Sequence, residues 1–180
     1  MILSIMPSRR MIESIRTVPN FPRPGIIFFD LLPVLRDSEL FLELVKELSS
    51  FSNQIDCVVG IEARGLILGA AVAHELGKGF VPLRKKGKLP GEVAEESYSL
   101  EYGIDALEVQ VNSFEKGNRV LLIDDVLATG GTLIAGAKLV QKCGAYVVAA
   151  AVALEIRELS GFKNFSQALP GIVVFSAIRI

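Results

Sequence analysis

The stretch V-L-L-I-D-D-V-L-A-T-G-G-T at residues 120–132 constrains this chain more than any other. Its apolar run is continuous rather than alternating, the pattern of a strand buried on both faces of a parallel sheet. Asp124 and Asp125 end the run where such a strand should stop, and Ala128, Thr129, Gly130, Gly131 and Thr132 make a small-residue turn. Leu133, Ile134, Ala137 and Val140 then recur at helical spacing as far as Gly144, a C-terminal cap. Glycines let a backbone approach an anion closely, and N–H groups at a helix N-terminus point at it with the dipole behind them. The hydroxyls of Thr129 and Thr132 add donors. No lysine closes the turn, so it is not a nucleoside-triphosphate loop, and it is not G-x-G-x-x-G. A phosphate cradle beside two carboxylates suits a phosphorylated sugar, with amides on the phosphate and carboxylates on vicinal hydroxyls. The plainer reading, a tight αL turn next to a solvated acidic strand end, serves T-G-G-T alone; it serves two carboxylates closing an apolar strand poorly.

The rest of the sequence supplies the setting. With 180 residues, 51% of them hydrophobic, one domain with a sizeable core is expected over 1–180. No run approaches the ~18 apolar residues of a membrane span, so the apolar excess is assigned to a buried sheet and a subunit interface. A net charge of −1 gives no general attraction to nucleic acid or to a membrane surface. Cys57 and Cys143 are too far apart for a metal spacing and read as buried free thiols of a reducing, cytoplasmic compartment. The first ten residues carry their arginines after a short apolar piece, which does not fit a signal peptide, and Met6 or Met11 is an alternative start.

In chain order, residues 12–18 suggest a short helix, and the proline-rich 19–25 leads into an apolar segment at 26–30. Leu40, Phe41, Leu44, Val45 and Leu48 mark an amphipathic helix with Ser38 as N-cap. Strands are expected at 56–61, 80–83, 120–124, 146–154 and 172–175, with a helix from the 62–65 turn to Gly77. Between 84 and 118 the strand–helix alternation lapses; the stretch opens with the basic run Arg84-Lys85-Lys86-Gly87-Lys88, and alternation at 104–111 suggests a hairpin strand. The pattern predicts an α/β fold: an open, mainly parallel sheet flanked by helices, with a lid over 84–118.

Ligands in such sheets bind outside the C-terminal strand ends. Glu62–Gly65, Arg84–Lys88 and Asp124–Thr132 all fall there, which suits a substrate with anionic groups at both ends and hydroxyls between. Each has an ordinary alternative: a solvated loop for the basic run, a surface ion pair for Arg64. His74, mid-helix, reads as structural or surface, and Glu101 between two tyrosines is ambiguous by spacing.

Together these pieces resemble the type I phosphoribosyltransferases. The 120–132 stretch is similar to that family's motif for phosphoribosyl pyrophosphate (PRPP). N-F-P-R-P-G-I-I-F-F-D at 20–30, G-I-E-A-R-G at 60–65, R-K-K-G-K-L-P-G at 84–91 and S-Y-S-L-E-Y-G at 97–103 resemble, in order, segments of its adenine-using branch. The likeness covers about residues 12–175. It implies a flexible lid hairpin, a base-binding hood within about residues 1–35, and a homodimer. It implies transfer of the phosphoribosyl group from PRPP to adenine, giving AMP and pyrophosphate, with Mg²⁺ held by the substrate rather than directly by protein.

The roles implied by the resemblance are as follows. Ala128, Thr129, Gly130, Gly131 and Thr132 hold the 5′-phosphate, and Asp124 and Asp125 meet the ribose hydroxyls. Arg64 and the Glu62–Ala63 peptide, often cis in this family, line the pyrophosphate site. Lys88 and the loop to Tyr102 close over the reaction centre, with Glu101 a candidate acid/base near the purine. Main-chain groups of Ile27 and Phe29 read the adenine edge, while Phe28 and Leu154 sandwich the ring. Many relatives carry Arg at the place of Phe29, which leaves hypoxanthine, guanine or xanthine as alternative bases. A PRPP-sensing regulator is the alternative outside enzymes; the slight acidity and the lack of room for a winged helix argue against it.

Overall fold

The computed structural model describes residues 8–51, 54–100 and 103–180. Elements follow in the order α1 (Arg9–Glu13), β1 (Arg16–Pro19), β2 (Ile27–Asp30), α2 (Leu32–Arg36), α3 (Ser38–Leu48), β3 (Cys57–Ile61), α4 (Arg64–Leu76) and β4 (Gly79–Lys85). They continue with β5 (Val93–Leu100), β6 (Gly103–Gln110), β7 (Arg119–Leu127), α5 (Gly131–Lys142), β8 (Tyr146–Glu155), α6 (Gly161–Ala168) and β9 (Val173–Arg179). Among the described residues, seven strands form the main sheet in the order β5-β6-β4-β3-β7-β8-β9. Pairing from β4 through β9 is parallel, and β5 and β6 add an antiparallel hairpin at one edge.

The continuous apolar runs are explained by burial on both faces. Val58, Leu121, Ile123 and Ala151 pack against Leu40, Leu44 and Leu48 of α3 and Leu68 and Val72 of α4. Val59, Ile61, Leu122 and Val152 face the other way, against Leu133, Ala137 and Val140 of α5 and Phe165 of α6. Each buried aliphatic side chain contributes roughly 1.5–3 kcal/mol of transfer free energy, so the sheet's centre is also its most firmly held part. The strand order reverses between β3 and β7: the chain leaves β3 toward β4 and leaves β7 toward β8. Because right-handed crossovers in opposite directions put their helices on opposite faces, the ends of β3 and β7 stand apart from cover at this switch point.

Several local expectations are corrected. The first helix is earlier than residues 12–18: Ser8 caps it, its hydroxyl accepting from the Met11 amide at 3.2 Å, and Arg16–Pro19 is a strand paired with β2. Asp37 rather than Ser38 caps α3, its carboxylate accepting from the Glu39 and Leu40 amides. The basic run starts inside β4, which extends through Lys85, and residues 84–118 hold two paired strands instead of one. Helix α6 was not anticipated, since its sequence offers one fully buried residue with a large side chain, Phe165.

Candidate active site

The loops that leave β3 and β7 meet at the switch point. Residues 60 and 65 are glycine because their backbones lie against neighbouring chain: a Cβ at 60 would stand 2.5 Å from the Gly65 carbonyl oxygen, and one at 65 would stand 3.0 Å from both Asp124 Oδ1 and the Ile123 carbonyl. This contact presses the first turn of α4 onto the acidic pair. There Arg64 Nε lies 2.5 Å from Asp125 Oδ2, a charge-to-charge contact without hydrogen-bond alignment. Asp124, 5% exposed, accepts the Asp125 amide at 2.9 Å. Burial first, and the adjacent Asp125 charge second, push its carboxyl well above the usual range.

Beyond the pair, Gly130 adopts φ +90 as the N-cap of α5, and its carbonyl accepts from Ile134. Residues 126–133 surround a cavity of about 50 Å³. Ala128, Gly131 and Thr132 are half-buried, Thr129 is exposed and Gly130 buried. The unfilled amides of the first turn of α5 make this a place for an anion.

On the other side of Arg64 a wider cleft of about 430 Å³ is lined by Arg16, Val18, Phe21, Phe28, Asp30, Leu32 and Arg64. The β1–β2 hairpin forms its roof, with Val18 opposite Phe28 and Arg16 opposite Asp30. Phe28 stacks edge-on with Phe21, centroids 5.2 Å apart, and the Arg64 guanidinium carbon lies 5.2 Å from the Phe28 ring centre. The buried Asp30 carboxylate accepts from the Leu32 amide and from Arg16, and these contacts hold it below its ordinary range. Strand alternation turns Phe29 away from the cleft, partly buried against the core; Ile27 is exposed.

The Glu62–Ala63 bond is cis. The Glu62 carboxylate accepts from Arg84 Nε at 2.9 Å and from the Lys85 amide at 2.8 Å, and Arg84 holds it below the ordinary carboxylate range. Ala63 is exposed and opens α4. Lys85 bonds both Tyr98 and Asp105, tying the β5–β6 hairpin to the end of β4. Lys88 is exposed in the following turn, close enough for its charge to act on Glu62. Glu101 and Tyr102 lie outside the described residues.

The structure thus brings Arg64, Glu62, Ala63, Asp124, Asp125 and the 128–132 turn to one sheet edge, with Phe28 across from them. Leu154 is fully buried in the core, whereas Ile156, just past the end of β8, is half-buried. His74 is exposed on α4, away from this constellation. Sequence patterning does not point to Arg16 or Asp30 as site residues, and it places Arg84 only at the head of a basic run. The signal for pairing Arg16 with Asp30 is their opposite charge across a proline-rich turn; Arg84's partner, 22 residues away, has none.

No helix among the described residues is long and apolar enough to cross a membrane. Residues 35–166 match the phosphoribosyl transferase domain family. The chain is 50% identical over 150 residues to the adenine phosphoribosyltransferase of Bradyrhizobium diazoefficiens, covering 82% of this chain and 84% of that one. It is similar in structure to the adenine phosphoribosyltransferase of Rhodothermus marinus, with TM-score 0.88, 46% identity and coverage of 95% and 97%. It is likewise similar to the enzyme of Giardia lamblia in complex with 9-deazaadenine, with TM-score 0.89, 40% identity and coverage of 94% and 96%. The chain belongs to the phosphoribosyl transferase family, in its adenine phosphoribosyltransferase branch.

Proposed function

We propose that this site transfers the 5-phosphoribosyl group of PRPP to N9 of adenine, giving AMP and pyrophosphate. The observation that carries the reading is the position of Arg64, which touches Asp125 on the side of the phosphate turn and Phe28 on the side of the aromatic cleft. A substrate with phosphate in the turn and ribose over the acidic pair would present C1′ near Arg64, with the cleft open to a flat base. The Giardia lamblia relative holds 9-deazaadenine, which supports adenine as that base.

In this reading Ala128–Thr132 bind the 5′-phosphate through amides and hydroxyls, and Asp124 and Asp125 bind the ribose hydroxyls. Arg64, the Glu62–Ala63 peptide and Lys88 receive the pyrophosphate. The C1′–O bond to pyrophosphate breaks as the bond from N9 to C1′ forms, and the proton of N9 passes to a base, for which Glu101 is the candidate. An oxocarbenium-like centre with a departing anion gains most from fixed charge and from positioning. Phe28 stacks one face of the adenine and the main chain of Ile27 and Phe29 reads its edge; the expected packing of Leu154 on the other face does not hold, because Leu154 is fully buried in the core. The lid over 84–118, with Tyr102, excludes water that would compete for C1′.

Mg²⁺, when bound with PRPP, would offset charge on the leaving pyrophosphate. The residues suit such a complex: Asp125 Oδ2 is buried and, without a hydrogen bond, has Arg64 as its charge partner, and Asp124 stands beside it. The metal would be held mainly by substrate oxygens, with these two carboxylates on the hydroxyls next to it. A homodimer is proposed from the exposed Leu32 at the cleft and Ile67 one turn beyond Arg64. A cytoplasmic location is proposed from two free thiols, Cys57 and Cys143.

The test is pyrophosphate release from PRPP and Mg²⁺ across a panel of purine bases. Release with adenine is expected; release with hypoxanthine but not adenine overturns the assignment.

A further inference from the structure

We propose that Asn164 is a positioning residue for the phosphate-binding turn, its side-chain amide fixing the Thr129–Gly130 peptide with the Gly130 N–H facing the anion. The inference rests on the phosphoribosyl reading of that turn. Asn164 Nδ2 donates to the Thr129 carbonyl oxygen at 3.0 Å, across 35 residues of sequence. Carbonyl and N–H of a trans peptide point in opposite directions. Holding the Thr129 oxygen outward, toward α6, therefore aims the Gly130 N–H to the other side of the peptide plane.

The turn needs this restraint. Gly130 has φ +90 and no side chain, so the peptide before it has little of its own to stop it rotating. Helix α6 is built to meet the turn at three consecutive residues. At its first residue, a Cβ on Gly161 would stand 2.3 Å from the Ala128 carbonyl oxygen. A Cβ on Gly130 would stand 3.0 Å from the Gly161 carbonyl oxygen. Asn164, one turn on, supplies the hydrogen bond to Thr129 between them. Phe165, 0% exposed beneath, anchors the helix that carries these groups. Asn164 touches no substrate in this arrangement; it acts through the peptide.

The test compares wild type with Asn164→Ala and Asn164→Asp, titrating AMP and adenosine, which differ by the 5′-phosphate, and measuring KM for PRPP and adenine. Asn164→Ala should weaken AMP binding and raise the KM for PRPP by about fivefold, the loss of one hydrogen bond. Adenosine binding, the KM for adenine, kcat and the thermal midpoint should stay as in wild type. Asn164→Asp should weaken AMP further, because an ionised carboxylate cannot donate and repels both the carbonyl and the phosphate. Unchanged AMP binding in both variants, or AMP and adenosine falling together, overturns the proposal. If wild type itself shows no preference for AMP over adenosine, the phosphate reading of the turn fails, and this inference with it.

Discussion

Arg64 stands with Nε 2.5 Å from Asp125 Oδ2, so the cation that opens α4, just after β3, is held by the second carboxylate of β7, the strand paired with β3 at the sheet's centre. Both side chains are mostly buried, at 24% and 15% exposed, and neither is replaceable without leaving the other charge poorly solvated.

Replacing Arg64 by Gln should therefore cost on the order of 10²-fold in kcat/KM for PRPP, by removing a fixed charge from the pyrophosphate side. Arg64→Lys should fall between, because an ammonium lacks the planar fork that reaches Asp125 and lies over Phe28 together. Steady-state kinetics with each substrate varied in turn would show this; a wild-type kcat/KM in Arg64→Gln would remove Arg64 from the site.

Asp124 gives a prediction in which activity and stability part. Its folded-state carboxyl is raised by burial and by Asp125, so between the unfolded value and the raised one the native state binds the extra proton, and stability falls as pH rises. Asp124→Asn should keep the turn's shape, raise the thermal midpoint at pH 8 and leave it unchanged at pH 3, while losing most of the turnover. A lower midpoint at pH 8 would show that the charge is better solvated than its burial indicates.

Glu47 follows the same sign outside the site. It lies on α3 with 3% exposure and both carboxylate oxygens without a hydrogen bond, and burial, aided by Glu43, pushes it up to about 7. The folded state holds its proton between about 4.5 and 7, so stability drains away as pH rises through that window. Glu47→Gln should be neutral near pH 4 and stabilising, on the order of 3 kcal/mol, above pH 7. Denaturant melts at the two pH values check it; equal effects at both would mean that Glu47 is not protonated in the fold.

The mainly parallel sheet and the strand–turn–helix at 120–132 are legible because a doubly buried strand and a glycine turn each leave a local pattern, whereas the spatial order of the strands leaves none. The β1–β2 roof was not: a helix was expected over 12–18, since Ile12, Ile15 and Val18 have helical spacing, and pairing across the proline turn decided otherwise. Ser38 looked like a cap because the residue before it is also a good one, and only geometry separates Asp37 from Ser38. Asn164 was invisible for a different reason. Its partner is a main-chain oxygen 35 residues away, and backbone contacts leave no pairing pattern in a sequence.

Phe28 and Phe29 are adjacent in sequence and face opposite ways, which separates the proposed base contact from the packing of the β1–β2 hairpin. Phe28 lines the cleft under Arg64, whereas Phe29 packs on the core beside α-helical apolar residues. Phe28→Ala should raise the KM for adenine about tenfold, by loss of a stacking partner, with little change in thermal midpoint. Phe29→Ala should remove about 1–3 kcal/mol of packing and lower the midpoint by several degrees, without altering the preference among purine bases. Phe29→Arg should likewise leave that preference for adenine over hypoxanthine in place, because the contact proposed for this position is through its backbone and its side chain packs on the core. Kinetics on the base panel for all three variants decides it: a switch toward hypoxanthine in either Phe29 variant would mean that the side chain at 29, and not only its peptide, selects the base.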